Sequence, residues 1–301
     1  MMAARDTSEL RGELRHDEPL ARHTSWRVGG PARTFYTPAD LDDLANFLAG
    51  LPASEELLWL GLGSNLLVRD GGVAGTVIAT FGGMNDLRML DERTIRAEAG
   101  VSCAKVARFM TRQGLTGGEF LAGIPGSMGG ALAMNAGAFG GETWQYVSVV
   151  ETLDRQGVRR LRTPAEYEIG YRHVQGPTDE WFVAAQLRFM PGDSGAAQQR
   201  IKALLERRGA TQPTNQPSCG SVFRNPPGDH AARLIEACGL KGHCIGKACI
   251  SEKHANFIIN AGGARAADIE ALIYHVRDRV EREQGVRLET EVRIVGEAER
   301  S

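Results

Sequence analysis

The stretch Pro217-Ser218-Cys219-Gly220-Ser221-Val222-Phe223-Arg224-Asn225-Pro226 holds a hydroxyl behind a glycine and between turn-forming prolines, so Ser221 projects from a constrained loop. A serine so placed is first a candidate nucleophile. No G-x-S-x-G frame surrounds it, however, and no particular histidine and acid stand out as its partners, which leaves a hydrolase triad unsupported. Cys219, two residues away, is a second candidate for the reactive group.

Two other segments carry charge that chemistry can use. Tyr171-Arg172 offers a guanidinium whose planar fork suits a carboxylate, although alone it reads as a surface arginine near a strand start. In the segment 288–295, alternation sends Leu288, Thr290, Val292 and Ile294 to one face and Glu289, Glu291 and Arg293 to the other. That pattern suits an ordinary half-exposed strand or one lining a polar cleft. The seven histidines form no HExxH or comparable spacing, so no metal is expected.

Glycine-rich loops must support such groups. Leu57-Leu58-Trp59-Leu60 reads as a short buried strand that feeds Gly61-Leu62-Gly63-Ser64-Asn65-Leu66-Leu67, where backbone amides can approach a phosphate or flat ring closely. An isolated GxG is more often a tight turn, and the missing third glycine and helix disfavour a dinucleotide fingerprint. The run from Gly123 through Ile124, Pro125, Gly126, Ser127, Gly129, Gly130 and Asn135 to Gly140 is nearly all small residues, which is costly in chain entropy. A large ligand lying on the backbone, with Ser127 and Asn135 as hydrogen-bonding groups, accounts for it; tight packing without a ligand is the competing explanation. No P-loop motif is present.

Around these loops the pattern predicts a mixture of strands and helices without regular alternation, hence an α+β class. Thr37-Pro38-Ala39-Asp40 predicts a helix start capped at Thr37, with Leu41, Leu44, Ala45 and Leu48 inward. Ser102 predicts a cap for a helix with Val106, Phe109 and Met110 inward and Gly114 closing it. Strands are expected over 75–81, 94–99 and 181–190, and a strand over 288–295 after a helix over 268–284 stopped by Gly285. The turn-rich break at 191–195 precedes a helix with Ile201, Leu204 and Leu205 that Gly209 should end. The expected division is a polar lead-in over 1–21, a first unit over 22–192 in two subdomains, and a second over 193–301.

Composition narrows the function. Lysine plus arginine (35) nearly balances aspartate plus glutamate (37), so there is no general attraction for nucleic acid or an anionic membrane, and an anionic ligand must be held locally. No apolar run reaches membrane-spanning length, and the first twenty residues lack the pattern of a secretory signal. Five scattered cysteines without a CxxC pair argue against a disulfide framework or a zinc site, and a reducing cytoplasm is the expected setting.

The glycine loop at 61–65 and the run at 123–140, together with His23-Thr24-Ser25-Trp26-Arg27-Val28-Gly29-Gly30, resemble the UDP-N-acetylenolpyruvoylglucosamine reductase (MurB) family from about residue 23 onward. The resemblance implies an FAD-binding domain of the vanillyl-alcohol-oxidase type, made of two α+β subdomains, followed by an α+β substrate domain. It implies FAD held by Gly61, Gly63, Ser64, Asn65, Leu66, Gly123, Ile124, Pro125, Gly126, Ser127, Gly129, Gly130 and Asn135. The implied reaction is NADPH-dependent reduction of the enolpyruvyl ether of a UDP-amino sugar in peptidoglycan precursor synthesis.

By the same resemblance Ser221 donates a proton to carbon, Arg172 neutralises charge on the substrate carboxylate, and Glu291 acts with the arginine on the enol intermediate. Arg207, Arg208 and Asn225 fall where the family contacts the UDP-sugar. Two positions depart from the pattern: His173-Val174 replaces the x-Ser that follows Tyr-Arg, and Thr211 stands where a lysine is common. The segment 251–258, with His254 and Asn256, also resembles a family motif but suits a satisfied loop-to-strand junction. Nothing matches the extra loop with a substrate-covering tyrosine, so the chain is similar to the shorter subgroup. Beyond the UDP-sugar and NADPH no partner is implied. An oxidase or dehydrogenase of the same flavin fold acting on an alcohol or sugar is the nearest rival, and a non-catalytic flavin or nucleotide-sugar binder is another.

Overall fold

The computed structural model describes residues 10–299. Residues 1–9 of the expected lead-in lie outside the described residues, and the rest of it is a structured edge. β1 (Glu13–Pro19) pairs antiparallel with β2 (Pro31–Thr37) from Glu13 opposite Thr37 to Pro19 opposite Pro31. Its sequence hides the strand because an edge strand needs little apolar content: only Glu18 in it is buried.

The helix expected at Thr37 begins three residues later. α1 (Leu41–Ala49) is capped by Asp40, whose side chain accepts from the Asp43 amide, while the Asp43 carboxylate draws in the Ala39 amide and the Tyr36 hydroxyl. Those bonds hold 37–39 outside the helix. β3 (Leu57–Leu60) leads through the first glycine loop to β4 (Leu66–Val68), and β5 (Val73–Ala79) completes a sheet ordered β1-β2-β5-β3.

A second, five-stranded antiparallel sheet takes β6 (Leu87–Met89) and β7 (Thr94–Glu98) beside Glu180–Arg188, Val147–Asp154 and Arg159–Arg162. α2 (Cys103–Arg112), capped by Ser102 as expected, and α3 (Met128–Met134) pack on it around Val106, Met110, Met128 and Leu132. α4 (Ser194–Thr211) brings Ile201 and Leu205 to this same core. Gly209 does not end α4: it has no obstruction and no positive φ, so the helix runs on until Pro213 is near.

The C-terminal part builds its own core from α5 (Ala231–Ala237), α6 (Ala266–Gln284) and a three-stranded antiparallel sheet over Cys244–Ile245, Ala248–Ile250 and Ile258–Asn260. Ile269, Leu272, Ile273, Val276 and Val280 form the inward face of α6, and Gly285 at φ 68° stops it. The N-terminal part is keyed into this core. Trp26 is fully buried there and its indole donates to the Ile258 carbonyl at 2.7 Å. Asp70 accepts from the first two amides of α6, Arg69 makes a two-pronged pair with Glu270, and β4 pairs in parallel with Arg293–Val295.

Two further expectations need correction. The strand expected over 288–295 is regular only over Arg293–Val295, because the Val222 carbonyl accepts from both Glu291 and Val292 and bends the chain there. A disulfide, not expected from the spacing, joins Cys244 and Cys249. The hairpin turn through Gly246, at φ 56°, sets these two residues directly opposite each other, with Cα atoms 4.1 Å apart. Cys103, Cys219 and Cys238 are free and buried. Among the described residues no helix is long and apolar enough to cross a membrane.

Candidate active site

The glycine loops form the floor of a cavity of about 570 Å³, within the usual range for small-molecule sites. Gly61, Gly63, Ser64, Asn65 and Leu66 line it from the loop after β3; Gly123, Ile124, Pro125, Gly126, Ser127, Gly129 and Gly130 line it from the loop into α3. The two explanations of the small-residue run divide its positions. At Gly129 a Cβ would meet the Ala99 side chain at 2.9 Å, and at Gly61 the Ser127 hydroxyl at 2.1 Å, so packing excludes side chains there. At Gly126 and Gly130 the nearest obstruction lies 3.4 and 4.0 Å away, so packing does not explain their smallness and the backbone there is open to the cavity. The Ser127 hydroxyl is buried without a partner among the described residues, a costly condition unless something else accepts or donates.

Charged side chains line the same cavity. Arg172 sits at the tip of a hairpin between Glu168–Gly170 and His173–Gln175, and its Nε donates to Glu291 Oε1 at 2.8 Å. Two main-chain carbonyls, of Asn135 and Gly137, take its Nη atoms. Both members of the pair are 16% exposed, and burial pushes the Glu291 carboxyl above its usual range despite the nearby Arg172 and Arg224 charges. A second, more open cleft of about 530 Å³ lies behind the pair, lined by Arg172, His173, Arg224 and residues 290–294, so Arg172 and Glu291 separate cavity from cleft. His173-Val174, where the resembling family has x-Ser, forms the return strand of the hairpin, with Val174 opposite Ile169.

Ser221 lines the same cavity, and its hydroxyl makes no hydrogen bond among the described residues. Gly220 at φ 70° gives the sharp bend before it. The loop is gripped on both sides. Cys219 is 3% exposed and points its thiol at the Gly63 and Leu66 carbonyls, and burial pushes that thiol up to about 12, which removes it as a reactive group. On the other side Asn256 bonds both the amide and the carbonyl of Phe223, at 2.9 and 2.8 Å. This is the satisfied junction expected of the 251–258 segment, and it fixes the loop that carries Ser221.

Not every expected residue reaches the cavity. Asn135 does not: it ends α3 at φ 41° and spends its amide on Glu142 Oε2, the Gly170 carbonyl and the Trp144 amide. It therefore acts as a bolt under the Arg172 hairpin and not as a cofactor ligand. Arg207 lies outside the cavity with its guanidinium over the exposed Phe139 ring, whereas Arg208, one residue on, lines it without an acidic partner among the described residues. Burial lowers the Arg208 pKa. Asn225 is exposed and its side chain accepts from the Ala231 amide at the start of α5. Asn65 lines the cavity and also donates to the Glu291 carbonyl, which ties the glycine loop to the charged wall. Arg224 and Arg293, which sequence reasoning passed over, border the site as well. A cation three residues after Ser221, and one beside Glu291, were the available signals.

Comparison with known proteins agrees with this architecture. Residues 32–161 match the family model of an FAD binding domain, and residues 212–295 match that of the UDP-N-acetylenolpyruvoylglucosamine reductase C-terminal domain. The UDP-N-acetylenolpyruvoylglucosamine reductase of Methylococcus capsulatus is 64% identical over 99% of this chain and 98% of its own length. That of Alkalilimnicola ehrlichii is 65% identical over 96% of each. The crystal structure of the Thermus caldophilus enzyme superposes with a TM-score of 0.79 at 34% identity, covering 95% of this chain and 99% of that one. The chain therefore belongs to the UDP-N-acetylenolpyruvoylglucosamine reductase family.

Proposed function

We propose that this protein reduces the enolpyruvyl ether of UDP-N-acetylglucosamine enolpyruvate to the lactyl ether of UDP-N-acetylmuramate, with NADPH as reductant and FAD as resident cofactor. The observation that supports the reading is that Ser221, Arg172 and Glu291 all line the glycine-floored cavity. The cavity suits FAD. The open backbone at Gly126 and Gly130, the unpartnered Ser127 hydroxyl and the acid-free guanidinium of Arg208 are what an extended anionic dinucleotide requires.

When bound and reduced, FAD would provide the hydride chemistry at the terminal enolpyruvyl carbon. The protein must then manage a developing enolate next to a carboxylate. Arg172 supplies a fixed positive charge for that anion, held in place by Glu291 and two carbonyls, so little reorganisation is needed when charge appears. Ser221, unencumbered by any other bond, gives its proton to the carbon that bears the carboxylate. Glu291 acts with Arg172 on the enol intermediate by fixing the guanidinium beside it.

We place the boundary of the substrate unit after α4, because Ile201 and Leu205 belong to the core of the second sheet while Cys219 onward belongs to the C-terminal core. A nucleotide-sugar substrate and the three free, buried cysteines favour a cytoplasmic setting, against which the Cys244–Cys249 disulfide counts. Anaerobic titration of the flavin-loaded protein tests the reading: NADPH should bleach the flavin and UDP-N-acetylglucosamine enolpyruvate should restore its colour. A flavin that NADPH bleaches but only an alcohol- or sugar-derived carbonyl compound reoxidises would favour the oxidase or dehydrogenase reading instead.

A further inference from the structure

Arg172 adopts a backbone conformation its residue type seldom takes, with φ at 54° on the tip of its hairpin. Strained positions of this kind persist only where surrounding contacts over-determine them. The side chain is held by Glu291 and two carbonyls, but the strained peptide itself is held from elsewhere. Arg224 Nη2 donates to the Arg172 carbonyl at 3.1 Å. Arg224 belongs to the Ser221 loop, and its own amide is anchored on the Glu289 carbonyl at 2.9 Å.

No close, buried ion pair among the described residues accounts for the cation there. Its nearest acid, Glu289, is 3.8 Å away and 78% exposed, so that pairing is weak. Its Nε is buried without a partner among the described residues. Three arginines, Arg172, Arg224 and Arg293, line the cleft with one well-buried carboxylate, Glu291, among them. Like charges so close repel, and the arrangement makes sense if the bond to the Arg172 carbonyl is what the position provides.

We propose that Arg224 is a positioning residue: it fixes the Arg172 hairpin tip in register with Glu291 and couples the Ser221 loop to that pair. The proposal rests on the catalytic reading of Ser221, Arg172 and Glu291 given above.

The test compares Arg224→Met with Arg224→Lys in flavin-loaded protein, measuring flavin content, the two half-reactions by anaerobic stopped flow, and the pH profile of flavin reoxidation. Arg224→Met should slow reoxidation about tenfold or more, as a small misplacement of a catalytic group does, with flavin content retained. Loss of a cation should also move the Glu291 limb of the profile to higher pH. Arg224→Lys keeps the charge and one donor, so it should recover most of the rate and the original limb. The charged or titratable groups facing Glu291 from its neighbours are Arg172, Arg224, Arg293 and His173, with Glu289 on its own segment; a His173→Gln control removes the imidazole that shares the cleft.

Normal reoxidation in Arg224→Met would overturn the proposal. So would equal slowing in Met and Lys variants with an unmoved limb, the mark of a merely structural part. Ser221→Ala run alongside separates the two levels: if it reoxidises normally the catalytic reading falls, and if it is slow while the Arg224 variants are normal only the positioning proposal falls.

Discussion

Two arginine–carboxylate pairs in this molecule share chemistry and differ in closure. Arg96 and Glu151, on neighbouring parts of the five-stranded sheet, join by two bonds of 2.6 and 2.9 Å, and Arg96 Nη1 adds Asp86 and Glu98. Their side chains are 7 and 8% exposed. Arg172 and Glu291 join by one bond, are 16% exposed, and leave the second Glu291 oxygen without a partner among the described residues. A pair with every direction satisfied holds a sheet together. A pair with directions left over, standing between a cavity and a cleft, is poised for a ligand.

Breaking each pair should therefore cost different things. Arg96→Met strands a buried carboxylate and should destabilise the protein by about 3–5 kcal/mol, read as a lowered denaturation midpoint, while reoxidation in the folded fraction stays near normal. An unmoved midpoint would erase the distinction. Arg172→Gln should shift the weight to catalysis: reoxidation slowed about 10²–10³-fold, equivalent to roughly 2.7–4 kcal/mol of barrier, with a midpoint lowered less than in Arg96→Met because glutamine keeps a donor for Glu291.

The titration of Glu291 sharpens the same contrast. Burial already raises it, and Arg172 opposes that rise, so Arg172→Gln should carry the Glu291 limb of the pH profile still further up. A shift downward would mean that Arg172 does not oppose the rise. The smallest effect is expected where the two halves of the chain meet away from either pair. Asp70→Ala removes a cap of α6 supplied from the N-terminal half and should cost about 1 kcal/mol in unfolding experiments, with both half-reactions untouched.

What could be read from the sequence follows how local the responsible physics is. The glycine loops, the Ser102 cap and the stop of α6 at Gly285 depend on neighbours in the chain, and each appears where its residues predicted it. Ser221, Arg172 and Glu291 were legible as a set only through the family motifs, because no spacing along the chain reveals that three distant segments line one cavity. Membership of a small-residue run did not say which way Asn135 faces: it turns inward to Glu142 and Gly170. Gly209 misled because a glycine with ordinary φ need not break a helix, and with α4 intact Arg207 and Arg208 point to different surroundings. The Cys244–Cys249 bond and the Arg224 contact both depend on turns that bring residues opposite one another, and the burial of Trp26 depends on a core built some 230 residues later.

The central claim is that the charged wall completes the chemistry begun on the glycine floor, with Ser221 as the acid. It is tested most directly by following both half-reactions of Ser221→Ala in the flavin-loaded protein. Reduction by NADPH should proceed at close to the normal rate while reoxidation by UDP-N-acetylglucosamine enolpyruvate slows by orders of magnitude. Equal slowing of both, or normal reoxidation, would contradict it.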